Sequence, residues 1–207
     1  KFEEPSEIQE KAIPLALEGK DIIGSSATGS GKTLAFGVNI IEKSEKGKGI
    51  QALILTPTRE LAEQNAKSLR KFAKFYDLRI KEIYGGVSLG GQIDDMERAE
   101  IIVGTPGRIL DHISRKTINL SKVKFLVLDE ADRMLDMGFI DDVDEIIKHV
   151  PKERQTFMFS ATISADIEHL SKKYMKHPKT VEAESQVDPS KLIQTYYDVP
   201  SHLKLSL

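Results

Sequence analysis

Eight consecutive residues, Ser26-Ala27-Thr28-Gly29-Ser30-Gly31-Lys32-Thr33, join two glycines, a lysine and several hydroxyls between an apolar run and a helical stretch. That composition suits phosphate. Gly29 and Gly31 let the backbone turn so that amide N–H groups converge on an anion. Lys32 brings a point charge to β- and γ-phosphates, and the Thr33 hydroxyl can ligate Mg2+. The helix opening near Lys32 adds the positive end of its dipole. The pattern fits a phosphate-binding loop except at its first position, where Ser26 replaces glycine. The plain alternative is a Gly/Ser-rich turn carrying a surface lysine. Further along, the apolar run Phe125-Leu126-Val127-Leu128 delivers Asp129 and Glu130, followed by Ala131-Asp132. Asp129 suits Mg2+ held partly through water, because that ion gives up its hydration shell reluctantly. Glu130 suits orienting or deprotonating an attacking water. Alone, such a segment reads as an acidic helix cap; paired with the upstream loop, it is the metal-and-water half of a nucleotide-hydrolysing site.

Both segments need a strand to deliver them, and the chain alternates short apolar runs with amphipathic stretches. Strands are predicted at 21–24, 52–56, 80–84, 101–104, 125–128, 156–159 and 180–181. Helices are predicted at 7–18, 32–43, 59–76, 107–114, 141–149 and 165–176. In the third helix Leu61, Ala62, Ala66, Leu69, Phe72 and Ala73 recur at helical spacing. Several strands are too short and too apolar to alternate, which suits parallel strands covered on both faces. The pattern predicts an α/β fold, a mostly parallel sheet with helices on both faces and ligands beyond the strands' carboxyl ends.

The 207 residues carry 30 basic and 32 acidic side chains, a net charge of −2, so any nucleic-acid contact must come from a local site. Absence of cysteine removes disulfides, thiolate metal sites and cysteine nucleophiles together. The apolar runs are far shorter than the ~18 residues that span a bilayer, and no signal peptide opens the chain, so a cytoplasmic protein is expected.

At Asp129-Glu130-Ala131-Asp132 the chain resembles the DEAD-box RNA helicases, and other segments follow in that family's order. Phe2-x-x-Pro5-Ser6-x-Ile8-Gln9 resembles the Q motif, whose glutamine reads the adenine edge by donating and accepting together. Ser6-x-x-Gln9 equally fits a helix capping box. The adenine-stacking aromatic of that motif would lie ahead of Lys1. Pro57-Thr58-Arg59-Glu60-Leu61-Ala62, Gly85-Gly86 and Thr105-Pro106-Gly107-Arg108 resemble the family's RNA-contacting motifs. Pro57, Thr58, Arg59, Gly85, Gly86, Thr105, Gly107 and Arg108 are thereby expected to bind RNA backbone without reading sequence. The alternatives are that Thr58 caps a helix, the glycines only turn, and Arg108 orders its loop. Ser160-Ala161-Thr162 resembles the motif coupling the two sites. Its hydroxyls have two readings, as partners of Asp132 or as a cap, with Thr162 or Ser164 at the N-cap.

The resemblance implies a RecA-like domain binding ATP and Mg2+, with Gln9, Ser26, Ala27, Thr28, Gly29, Ser30, Gly31, Lys32 and Thr33 around the nucleotide. Thr33 and Asp129 would hold the metal, Lys32, Asp129 and Glu130 would serve hydrolysis, and Asp132, Ser160 and Thr162 would couple it to RNA. Residues 1–9 are expected to form a truncated Q motif, 10–184 the ATP-binding domain and 185–192 a linker. Residues 193–207, with Gln194, Tyr196, Val199 and Lys204, resemble the opening of a second lobe. The function implied is ATP-dependent, RNA-stimulated unwinding once both lobes are joined. A DNA-directed motor and a nucleotide-gated RNA-binding scaffold are the rivals.

Overall fold

In the computed structural model, residues 4–27 and 29–183 are described. Expectations for Phe2, Thr28, the 185–192 linker and the 193–207 segment lie outside these residues. Among the described residues, seven strands alternate with eight helices. The strands are β1 (Ile22–Ser25), β2 (Ala52–Leu55), β3 (Ile80–Ile83), β4 (Ile101–Gly104), β5 (Phe125–Leu128), β6 (Gln155–Ser160) and β7 (Lys179–Glu182). The helices are α1 (Glu7–Leu17), α2 (Lys32–Lys43), α3 (Arg59–Phe72), α4 (Leu89–Met96), α5 (Pro106–Ser114), α6 (Ala131–Asp136), α7 (Ile140–Lys148) and α8 (Ala165–Tyr174). The sheet order is β3-β4-β2-β5-β6-β1-β7, and every pairing is parallel. All strands therefore end on one edge.

The uniformly apolar strands divide their side chains between two cores. Ala52 and Ile54 of β2, with Phe125 and Val127 of β5, pack under α1, α2 and α3 beside Ile8, Phe36, Ile40 and Leu69. Leu53, Leu55, Leu126 and Leu128 point the other way, toward Ile109 of α5, Met134 of α6, Val143 of α7 and Ile167 of α8. Each face of the sheet thus has its own helical cover, as strand periodicity requires. Buried polar groups fix the helix ends: Gln155 Nε2 donates to the carbonyls of Ala16 at 3.0 Å and Lys20 at 2.6 Å, while Asn39 Nδ2 donates to Gln155 Oε1 at 2.7 Å.

Gly104 shows how tightly the edge is built. It pairs with Ile83, and a Cβ there would meet the Ile83 carbonyl oxygen at 2.4 Å and Ile109 Cδ1 at 3.0 Å. That carbonyl accepts from Thr105 N–H at 3.0 Å, so the same approach positions the following residue. Gly104→Ala is expected to lower stability by about 1–3 kcal/mol through overpacking, read as a shift in the denaturation midpoint. An unchanged midpoint would show that β3 and β4 can separate at no cost.

Two helices were not foreseen in the sequence. α4 contains Gly90-Gly91, poor helix formers, and α6 is only six residues long. α3 stops at Phe72, with Ala73 as its C-cap, short of the predicted Tyr76; Phe75 beyond it is 89% exposed.

Candidate nucleotide pocket and adjoining sheet edge

β1 runs into the glycine-rich loop, whose Ser26 is fully buried and still donates its N–H to the Ser160 carbonyl of β6 at 3.2 Å. The serine at this irregular first position closes the loop on itself: Ser26 Oγ and Ser30 Oγ lie 2.8 Å apart. Gly29 (φ 84°) and Gly31 (φ 94°) take left-handed backbone conformations. Gly31 is doubly constrained, since a Cβ there would stand 2.1 Å from Gln9 Nε2. It precedes α2, so the first free amides of that helix face the cavity. Lys32 is buried, its Nζ donating to the Ser26 carbonyl at 3.1 Å, which holds the ammonium across the loop.

Gln9 reaches this loop from α1. Its Oε1 accepts the Ser6 N–H at 3.1 Å and its Nε2 donates to the Gly31 carbonyl at 3.1 Å. The Gln9 arm of the capping box is thus formed, and the same amide ties the helix start to the phosphate loop. Gln9, Gly29, Gly31, Lys32, Thr33, Asn65, Asp129 and Glu130 line one cavity.

Asp129 enters that cavity from the end of β5, its N–H donating to the Leu55 carbonyl at 3.0 Å. Burial pushes its carboxyl up, opposed by the Asn65 hydrogen bond and the Lys32 charge. Asn65 Nδ2 donates to Asp129 Oδ2 at 2.7 Å, and Thr33 Oγ1 donates to Asn65 Oδ1 at 2.7 Å. Asp129 Oδ1 is buried without a hydrogen-bond partner. Glu130 sits in the left-handed region (φ 55°, ψ 52°), a strained turn for a non-glycine residue, and caps α6. Arg133 Nη1 donates to Glu130 Oε2 at 2.6 Å, fixing that carboxylate.

The donor set fits Mg2+. Thr33 and Asp129 offer hard oxygen ligands, and Asp129 Oδ1 is a buried acceptor with no hydrogen-bond partner. Among the described residues no group of three or more His, Cys, Asp or Glu side chains could hold a metal. One or two protein oxygens completed by ligand phosphates is the manner in which Mg2+ is usually held.

The second set of residues occupies the edge formed by β2, β4 and β3, beside the cavity. Pro57 is buried and leads into Thr58, whose Oγ1 accepts the Leu61 N–H at 3.4 Å; the capping reading of Thr58 is therefore realised. Arg59 is half exposed, paired with Glu63 at 3.1 Å and stacked 4.8 Å above the Tyr84 ring. Tyr84 Oη donates to Glu63 Oε1 at 2.5 Å, completing a small cluster. Gly86 (φ 86°) adjoins it, and Gly85 is open. Thr105 precedes α5, with Pro106 at its first turn, and Gly107 lies next to the Asp142 carboxylate. Arg108 turns inward: its side chain is 14% exposed, and Nη1 donates to the Val87 carbonyl at 3.2 Å and Gln92 Oε1 at 2.8 Å. It orders the loop, the alternative open from the sequence.

Of the two readings of the Ser160-Ala161-Thr162 hydroxyls, the cap is the one formed, at Ser164, and a hydroxyl is not what meets Asp132. Asp132 Oδ2 accepts the Ala161 backbone N–H at 3.0 Å instead. Ser160 Oγ is buried without a partner, Thr162 is exposed, and Ser164 is the N-cap, its Oγ accepting the Ile167 N–H at 3.4 Å. A backbone amide reaches the carboxylate because β6 has just ended and Ala161 has no ladder partner.

Sequence reasoning missed Asn65 and Arg133. Arg133 is three residues after Glu130, a spacing that brings side chains together on a helix. Asn65 is a polar residue within the buried stripe of α3, three after Ala62 and four before Leu69.

Over 198 residues the chain is 48% identical to the ATP-dependent RNA helicase CshA of Listeria monocytogenes, covering 95% of this chain and 38% of that protein. It is 45% identical to the RNA helicase CrhR of Synechocystis over 201 residues, covering 96% of this chain and 41% of the relative. The chain therefore spans about two fifths of these relatives' length. The crystal structure of a DEAD box protein from the hyperthermophile Methanococcus jannaschii superposes with a TM-score of 0.85 at 43% identity, covering 98% of this chain and 55% of that one. The RecA-like fold expected from the resemblance is thus present. With residues 6–170 matching the DEAD/DEAH box helicase model, the chain belongs to that family.

Proposed function

We propose that this chain is the ATP-binding lobe of an ATP-dependent RNA helicase. It hydrolyses ATP and remodels RNA duplexes when joined to a second lobe. The observation that carries this reading is convergence: the loop after β1, the acidic turn after β5 and Gln9 of α1 face one cavity, and the Arg59 cluster adjoins it. Residues 10–184 form the ATP-binding domain, 185–192 the linker and 193–207 the opening of the second lobe.

In this reading the amides of Gly29 to Lys32 cradle phosphate, and Lys32 leaves the Ser26 carbonyl to meet the β- and γ-phosphates. Thr33 and Asp129 would hold Mg2+, which when bound would offset charge on the transferred phosphoryl group. Glu130 accepts a proton from the attacking water, and Arg133 directs its carboxylate. Gln9 can offer adenine only what remains of its amide after Ser6 and Gly31, so its contribution to base choice is coupled to loop position. RNA is held through its backbone at the edge of β2, β4 and β3. No helix among the described residues is long and apolar enough to cross a membrane; action in the cytoplasm belongs to the same proposal.

Steady-state ATP hydrolysis by the full-length protein tests the reading. Single-stranded RNA should raise it and DNA of the same sequence should not, since only RNA offers 2′-hydroxyls. Equal stimulation by both would favour a DNA-directed motor, and binding without turnover a scaffold. Arg59→Ala should reduce the logarithmic salt slope of RNA binding by about 0.7, the value of one lost phosphate contact on a single strand. Arg108→Ala should leave that slope nearly unchanged and lower thermal stability instead. The reverse order would place the RNA contact on Arg108.

A further inference from the structure

Asn65 is 4% exposed and sits on a face of α3 otherwise made of Ala62, Ala66 and Leu69. A polar side chain there has to be satisfied, and backbone groups or a neighbouring helix would suffice for that. Instead Asn65 joins two groups that arrive from different strands and that the proposed function directs at one cation. Its Oδ1 accepts from Thr33 Oγ1 and its Nδ2 donates to Asp129 Oδ2, each at 2.7 Å.

The polarity of this relay is set by chemistry. As a metal ligand Asp129 has to be ionised, and an ionised carboxylate only accepts, so in that state the Asn65 NH2 faces Asp129 and its carbonyl faces Thr33. The Thr33 hydroxyl, able to donate or accept, is thereby obliged to donate toward Asn65. A hydroxyl binds a metal through a lone pair, so its proton must point away from the ion; Asn65 provides the place for it. On the other side, engaging Oδ2 leaves Oδ1 as the one unpartnered, buried oxygen of Asp129. A single amide thus presents one lone pair from Thr33 and one free oxygen from Asp129. The replacements that lack this pairing differ in how they fail: Asp would place a carboxylate against Asp129, Leu would satisfy neither group, and Ala would leave them to water.

We infer that Asn65 is a positioning residue for Mg2+·nucleotide, orienting Thr33 and Asp129 without touching the ion. This rests on the nucleotide-pocket reading above. Partners that orient metal ligands from behind are commonly worth 10–100-fold in metal affinity. The probe is a fluorescent ADP bound to the chain, first with chelator and then with Mg2+ titrated in. Asn65→Ala should raise the Mg2+ concentration giving half-maximal tightening by about tenfold or more, with metal-free affinity changed less than about twofold. Asn65→Leu should do so more strongly, because it excludes the water that could replace the amide. In the unmodified chain, the Asn65 side-chain NH2 resonance should shift when Mg2+ is added to the ADP complex. That measurement holds if either variant does not fold.

The outcomes separate the two levels. If the unmodified chain binds no adenine nucleotide, the pocket reading and this inference both fall. If it binds ADP with a Mg2+ dependence that folded Asn65→Ala leaves unaltered, the inference alone is overturned. Equal weakening with and without Mg2+ also overturns it, since a purely structural asparagine would act that way. An Asn65 amide resonance unmoved by Mg2+ has the same consequence.

Discussion

Replacing Glu130 by Gln should reduce ATP turnover by about 10²–10⁴-fold, the usual contribution of a positioned general base, with nucleotide affinity changed less than about twofold. The substitution is chosen for what it leaves intact. Glutamine keeps a carbonyl oxygen where Arg133 Nη1 now meets Glu130 Oε2, so the turn after β5 retains its inner contact. It also keeps the length of the side chain in a residue whose left-handed backbone is already costly. What disappears is the capacity to take a proton. The rate should be read in the full-length protein at saturating RNA, beside ADP affinity. Turnover at the unmodified rate would remove Glu130 from the hydrolytic step, and a parallel loss of affinity would make it a binding residue.

Lys32→Ala should act on the other quantity. In the free chain, Lys32 is a buried ammonium with a neutral carbonyl as its hydrogen-bond acceptor, 3.1 Å away on Ser26. An anion entering the loop offers it a stronger, charge-assisted partner. Such contacts are worth about 1.5–3 kcal/mol, or roughly tenfold to a hundredfold in Kd. Truncation should therefore weaken ADP and ATP by that factor. Because the charge is buried beside a neutral acceptor, its loss should cost little folding stability, and the unfolding temperature should hold. The Asp129 carboxyl should also rise further, since the Lys32 charge is one of the influences opposing the effect of burial. Calorimetry with Mg2+ present decides it: equal affinities in the two proteins would detach the loop from phosphate.

The sheet was legible because its physics is local. Runs such as Phe125–Leu128 are apolar throughout and short, which strands buried on both faces require, and their ends fell within a residue or two of expectation. The chemistry-bearing segments were legible for the same reason: glycines before Gly-Lys-Thr, and paired carboxylates after an apolar run, have few other uses. Roles set by long-range contacts were not. Gln9 fits both a capping box and a base reader in sequence, and only the approach of α1 to Gly31 shows that its amide serves the loop. Arg108 is an exposed phosphate contact by type, but Gln92, on a helix hidden by its glycines, draws it inward. The contact to Asp132 involves a backbone N–H at Ala161, which no side-chain pattern encodes. Asn65 was visible as a break in the stripe of α3; its meaning required knowing that the fold brings it beside Thr33 at the start of α2 and Asp129 at the end of β5.

The central claim is that the loop after β1 and the turn after β5 form one Mg2+·adenine-nucleotide site. A crystal structure of the chain with Mg2+ and ADP tests it most directly. The phosphates should lie on the amides of Gly29 to Lys32, with the Lys32 ammonium turned from Ser26 toward them. The cation should be beside Thr33 and the free oxygen of Asp129, and the base beside Gln9. Nucleotide bound elsewhere, or bound with Lys32 still on the Ser26 carbonyl and no cation between Thr33 and Asp129, would contradict the account.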